Sequence, residues 1–197
     1  MLMARGDTYD VRDQVREYRD PDTGALVRQL TADGSDNDSL YFTTTCFVGE
    51  DADRLIFRSN RTGAWEFYLL EIGATRLVQV TESQEGAGQG CVDPGGRLFY
   101  HDGQMLKVVD LADLSEEVLY AAPAGMRCYL PTCTANGSHV AFAYAEALGT
   151  STETGRIYST MAEQYFQRPR SVIVRVDSSS GEVVAVWGEQ AWISHVI

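Results

Sequence analysis

The chain has 197 residues, 44% hydrophobic and 22% charged, an ordinary globular make-up with room for one large domain or a modest two-domain protein. A net charge of -12 argues against the basic face of a nucleic-acid binder and requires any anionic ligand to be held by a local basic pocket. No stretch approaches the roughly 18 consecutive apolar residues of a membrane helix, and "MLMARGDTYDVRDQVREYRD" lacks the apolar core of a secretory signal, so a cytoplasmic protein engaging neither nucleic acid nor membrane is expected.

Taken in chain order, short alternating strands recur between polar turns. "REYRDPDTGALVRQLT" reads as a hairpin over about 15–32. A full unit follows over 38–82, with strands "RLIF", "FYLLEI" and "RLVQVT". The next, over 86–122, repeats them as "RLFY", "LKVVDL" and "EEVLYA". The last, over 126–188, gives "HVAF", "VIVRVD" and "EVVAVW". The turns "GEDAD", "DPGG" and "ANGS" carry the Gly, Asn, Asp and Pro that reverse a chain cheaply. Four strands per roughly 40 residues is the signature of a β-propeller, whose blades cover one another's faces. The fold class is therefore all-β, a propeller of four-stranded blades. "WISHVI", over 190–197, reads as the innermost strand of a further blade. A complete propeller has at least four blades, so about three to three and a half make an incomplete ring. Such a ring would be truncated, or completed by another copy or a complementing C-terminal half. Its exposed end faces predict oligomerisation, aggregation or low cooperativity.

The third full blade is interrupted by "EALGTSTETGRIYSTMAEQYFQRPR". Ile157, Met161 and Tyr165 fall at helical spacing, predicting a short amphipathic helix that Pro169 ends. Arg168 and Arg170 either present guanidinium forks to ligand carboxylates or cap that helix and pair with Glu163. Cys46, Cys91, Cys128 and Cys133 show no metal-ligand spacing and read as free thiols. His101, in "LFYHDGQ", reads as a surface turn residue, and His139 takes the slot of Arg54 and Arg97 and is expected to be exposed. His195 lies inside an apolar strand, where it is either a channel-facing ligand contact or a satisfied structural histidine. Arg61 and Trp65 in "SNRTGAWEF" read as structural, the tryptophan between blades and the arginine on neighbouring carbonyls. "EGAGQGCVDPGG" has no Lys-Ser/Thr ending and no following helix, so it is no phosphate loop.

"SNRTGAWEFYLLEIGATRLVQVT" resembles a blade of TolB-type propellers, which identifies architecture alone. The order "YRDPDTGALVRQLT", "LYF", "MAEQYFQRPRSVIVRVDSSSGE", "AWISHVI" is similar to the first half of oligogalacturonate lyases, seven-bladed TolB-like propellers of bacterial pectin breakdown. The resemblance implies cleavage of pectin-derived oligogalacturonides by β-elimination. It implies a histidine base at C5 and a divalent metal, typically manganese, on a histidine and glutamine cluster. A cation of this kind stabilises the enediolate that makes the α-proton acidic. No residue up to Ile197 matches the base or the metal ligands, so none is assigned here and this segment by itself is expected to be inactive and to bind no metal. The candidate substrate-binding residues are His195, Arg168 and Arg170. Ser39, in "NDSLYF", stands where members often carry histidine. The alternative is a non-enzymatic TolB-like propeller acting as a ligand- or protein-binding scaffold.

Overall fold

The computed structural model describes residues 4–49, 51–149, 157–193, 195 and 196. Strand β1 (Thr8–Asp10) is followed by a separate hairpin of β2 (Arg16–Arg19) and β3 (Leu26–Gln29). The first sheet then takes β4 (Asn37–Asp38), β5 (Phe47–Val48), β6 (Arg54–Ser59), β7 (Glu66–Glu71) and β8 (Arg76–Gln79). Its order is β1-β8-β7-β6-β4, with β5 also paired to β6. The second sheet holds β9 (Gly90–Val92), β10 (Arg97–Asp102), β11 (Met105–Asp110) and β12 (Glu116–Ala121) in reversed order. The third is built from β13 (Met126–Cys128), β14 (Thr132–Cys133), β15 (His139–Glu146), β16 (Arg170–Asp177) and β17 (Val183–Gln190), with helix α1 (Ile157–Gln167) between β15 and β16. All pairings are antiparallel. Among the described residues the result is an incomplete propeller of three blade sheets, with the separate two-stranded hairpin and one α-helix. Among the described residues no helix is long and apolar enough to cross a membrane.

Period-two alternation explains why the sheets stack. On β7, Phe67 and Leu69 face the second sheet while Tyr68 and Leu70 face the opposite core. On β10, Leu98 and Tyr100 pack against Ile56, Phe67 and Leu69, whereas Phe99 packs with Val140, Phe142 and Val174 of the third sheet. The middle strands are thus buried on both faces, and their apolar runs follow from that. The outer strand β17 is different: Val184, Val186 and Trp187 are exposed. Strand β1 was not anticipated from the sequence. It covers the edge of β8, pairing Thr8 with Val78 and Asp10 with Arg76. The described residues of "WISHVI" form no strand.

The hairpins share one backbone device. In "DSSSG" the Asp177 carboxylate accepts the N–H and hydroxyl groups of both Ser179 and Ser180, which hold it well below the usual carboxylate range. Gly181 then turns at φ +71° and donates to the Asp177 carbonyl at 2.9 Å. "DPDTG" repeats the arrangement, with Asp20 accepting from Asp22 and Thr23 and Gly24 at +72°. The equivalent position is Thr75 in the first sheet and Leu114 in the second, at φ +51° and +61°. A β-branched residue in this region is strained.

The second and third sheets are joined by Arg97. Its Nε donates to Asp93 at 2.9 Å, and its other nitrogens donate to the Gly137 carbonyl at 2.8 Å and to Ser178 Oγ at 3.2 Å. Gly137 lies at φ +69°, and a Cβ there would stand 2.5 Å from Asp93 Oδ2. Gly137→Ala is therefore expected to lower stability by at least about 1–2 kcal/mol, the left-handed penalty alone, and thermal melting checks it. Thr75→Gly is expected to raise stability by up to about 1 kcal/mol, because relief of strain exceeds the entropy that glycine adds to the unfolded chain. An unchanged or lower midpoint in denaturant titration would contradict the shared turn geometry.

Candidate functional site

At one end of the second and third sheets lies a cavity of about 830 Å³, within the size range of small-ligand sites. Its wall is assembled from segments distant in sequence. The loop after β4 gives Tyr41, a glycine-rich strap before β9 gives Glu85, Gly86, Gly88 and Gln89, and the end of β10 gives His101. Strand β13 and the residues after it give Arg127, Cys128 and Tyr129. Helix α1 gives Thr160, Met161 and Gln164, and the segment beyond β17 gives Trp192 and His195.

The aromatic residues are fixed against one another. Trp192 Nε1 donates to the Tyr129 hydroxyl at 3.0 Å, with the rings edge to face at 6.3 Å. His195 stacks on Tyr41 at 4.8 Å. Among the described lining residues Arg127 is the only lysine or arginine. Its guanidinium lies 5.8 Å from the Tyr129 ring, and no carboxylate among the described residues pairs with it. Burial pushes the Cys128 thiol up to about 11, so it stays protonated and unreactive. All four cysteines carry free thiols.

His101 corrects the expectation of a surface turn residue. It is 4% exposed and belongs to β10, and the reversal falls on Gly103 and Gln104. Sharing the parity of Phe99, it points to the third sheet, where its ring meets Phe142 edge to face at 4.6 Å. The glycine-rich strap, read from the sequence only as no phosphate loop, walls the cavity. His139 is half-buried rather than exposed, its Nδ1 2.8 Å from Ser138 Oγ and its Nε2 4.0 Å from Asp177. Arg61 is structural, but its partners are the side chains of Asp33, Asn37 and Ser59 instead of carbonyls.

Of the predicted site residues, the structure brings His195 to the cavity and leaves Arg168 and Arg170 off its wall. Arg168 ends α1 at φ +51°, and its Nε donates to the Gln190 carbonyl at 3.3 Å. The backbone N–H of Arg170 donates to Glu146 at 2.8 Å. Neither makes an ion pair among the described residues. The helix turns Thr160, Met161 and Gln164 to the cavity and leaves Tyr165 and Phe166 exposed. Ser39 lines a separate cavity of about 190 Å³ with Leu30 and Cys46.

Residues 3–197 match the family model of oligogalacturonate lyase. The chain belongs to the oligogalacturonate lyase family. It is 28% identical over 183 residues to an oligogalacturonide lyase of Pectobacterium atrosepticum, a match covering 91% of this chain and 47% of that protein. A Dickeya dadantii oligogalacturonate lyase is 27% identical with the same coverage. The chain therefore spans about half the length of these lyases. Among solved structures, an oligogalacturonate lyase in complex with manganese superposes with a TM-score of 0.85 at 30% identity, covering 98% of this chain and 51% of the other. TolB from Acinetobacter baumannii, at 18% identity and a TM-score of 0.52, shares the fold over 85% of this chain and 36% of its own. Among the described residues no three His, Cys, Asp or Glu side chains converge to hold a metal. The residues placed here therefore do not fit the manganese of that lyase, and no step is assigned to a metal on them.

Burial pushes the His101 imidazole down to about 4, a shift that nearby backbone of Tyr129 and Met105 offsets only in part. An unfolded histidine titrates near 6.5, so the unfolded chain takes the proton first. The stability that a neutral His101 contributes is complete above that value and is lost as pH falls toward 4. At pH 5 the loss is on the order of 2 kcal/mol. Thermal melts between pH 7 and 4.5 are expected to fall more steeply for the native chain than for His101→Phe, and parallel profiles would refute it.

Proposed function

We propose that this chain forms one half of an oligogalacturonide-binding lyase site and holds its substrate in the cavity between the second and third sheets. The observation that carries this reading is Arg127, a guanidinium on an aromatic wall with no carboxylate partner among the described residues, in a chain of net charge -12. Most of the other arginines near the sheets are paired with acids. A planar fork of donors suits a uronate carboxylate, and it offsets the repulsion that Glu85 and the overall charge impose on an anion. Tyr41, Tyr129 and Trp192 offer rigid apolar faces to the sugar rings.

Neutralising the carboxylate is also what acidifies the neighbouring C5 proton. Arg127 thus binds, and begins the charge compensation that elimination needs. The proton-abstracting base and the divalent cation are left to the part of the family that this span does not cover, so the chain on its own binds oligogalacturonide without cleaving it. His195 serves as a pocket contact through its stack with Tyr41. Arg168 and Arg170 act at most as outer contacts for a longer oligomer. Free thiols suit a reducing cytoplasm, and the exposed face of β17 suits a second copy or a complementing half.

Calorimetry with digalacturonate tests the reading. The native chain is expected to bind, and Arg127→Gln to bind at least about tenfold more weakly, the loss of one charge-assisted contact. Equal affinity of the variant, or equal affinity of the native chain for neutral galactobiose, would refute the role of Arg127.

A further inference from the structure

The seam between the second and third sheets holds two cysteines that the sugar site does not use. Cys91 lies on β9 and pairs in register with Phe99, and Cys133 lies on β14 and pairs with Val140. Residues paired across an antiparallel ladder share a face. Phe99 and Val140 belong to the one core that fills the seam, so Cys91 and Cys133 enter it from opposite sides. The two strands pack against each other. Cys133 Sγ donates to the carbonyl of Val92, the residue after Cys91, at 3.4 Å. The thiols are themselves hydrogen-bonded, Cys91 donating to the Cys133 sulfur.

The pair is asymmetric. Cys91 is 1% exposed, whereas Cys133 is half-buried. The hydrogen bond from Cys91 holds the Cys133 thiol below the usual range, against the burial that raises it. Cys91 is held well above that range by the same bond and by burial. The thiolate is the nucleophile and a buried thiol is inert. Cys133 is therefore the sulfur that an oxidant meets first, and Cys91 the one placed behind it. The other two cysteines differ. Cys128 donates to the Gln104 carbonyl at 3.8 Å and Cys46 accepts the Leu40 N–H at 3.3 Å, and burial raises both.

We propose that Cys91 and Cys133 form an oxidation site, closing to a reversible disulfide that staples the second sheet to the third when the chain meets a peroxide. The Cys133 thiolate attacks one oxygen of hydrogen peroxide and the O–O bond breaks. The other oxygen leaves as hydroxide and takes up the proton that Cys133 released, giving water and a sulfenic acid on Cys133. The Cys91 sulfur then attacks the sulfenic sulfur. The S–S bond forms, the S–O bond breaks, and the departing hydroxyl leaves with the Cys91 proton as a second water. The two thiols are oxidised and the peroxide is reduced by the same electron pair. A dithiol reductant reverses the step by exchange. Asp93 and Arg97 lie close enough to act on the Cys133 charge, so the bond forms beside the contacts that already join these sheets.

Treatment with a stoichiometric amount of hydrogen peroxide, then thiol titration in denaturant and non-reducing peptide mapping, tests the site. The native chain carries four free thiols and is expected to fall to two, with Cys91 and Cys133 joined and both recovered by dithiothreitol. Cys46→Ala/Cys128→Ala, which keeps only the pair, is expected to lose both remaining thiols, and Cys133→Ala to lose none. Where Cys133→Ala does not fold, the double variant decides, since both of its substitutions lie outside the pair. The oxidised native chain is expected to melt on the order of 5 °C higher than the reduced one, because the link closes a long loop. An unchanged or lower midpoint would refute the staple. Survival of all the thiols, a bond to another cysteine or between two chains, or Cys133 carried to sulfinic acid with Cys91 still free would each overturn the proposal.

Discussion

The guanidinium of Arg97 is the joint on which the second and third sheets are set. It closes on Asp93 within its own sheet and on Gly137 and Ser178 of the next. The Asp93 side chain is 1% exposed, and losing the arginine would leave a buried carboxylate without its ion-pair partner. The Phe99, Phe142 and Val174 core fills the seam above the clamp. The cavity opens at the end of the same seam. Its shape is therefore a consequence of how two sheets are fastened, and the residues that do the fastening never touch it.

Much of the fold was legible because blade units repeat their chemistry. Alternating apolar strands and Asp-rich turns marked the sheets, and the strands that read as apolar runs are those buried on both faces. Other parts were hidden for physical reasons. Thr75 and Leu114 occupy the turn position that Gly24 and Gly181 fill elsewhere, so the repeat lives in a backbone angle that residue identity does not report. His101 was misread because "HDG" resembles a turn. Only the register of β10 with β11, which pairs His101 with Leu106 and Asp102 with Met105, shows the strand running two residues further. The short β1 has no pattern of its own and is defined by the edge it covers.

The site was less legible than the fold. Arg127 sits in "GMRCYL", an unremarkable strand sequence, and its place on the cavity wall beside Tyr129 is a property of three dimensions. Tyr41, Tyr129 and Trp192 are separated by scores of residues and converge only because the sheets stack. The arginines at the end of the helix were conspicuous in sequence, but a left-handed turn at Arg168 sends its side chain toward Gln190. His195 was the exception, since a histidine inside an apolar segment announces a polar environment at that point. Family membership agrees with this division. It assigns the chain to the oligogalacturonate lyase family, while the geometry shows which of its residues line the cavity.

The strap over His101 bears on how this family can diversify. Gly88 and Gly90 pass so near β10 that neither accommodates a Cβ: at Gly90 one would lie 2.8 Å from the Phe99 carbonyl oxygen. That side of the cavity is therefore bounded by main chain, which single substitutions can scarcely remodel. Met161, Gln164 and Trp192, on the inserted helix and the segment beyond β17, also line the cavity. Substitutions on the inserted helix can therefore reshape the cavity more readily than substitutions on the glycine side.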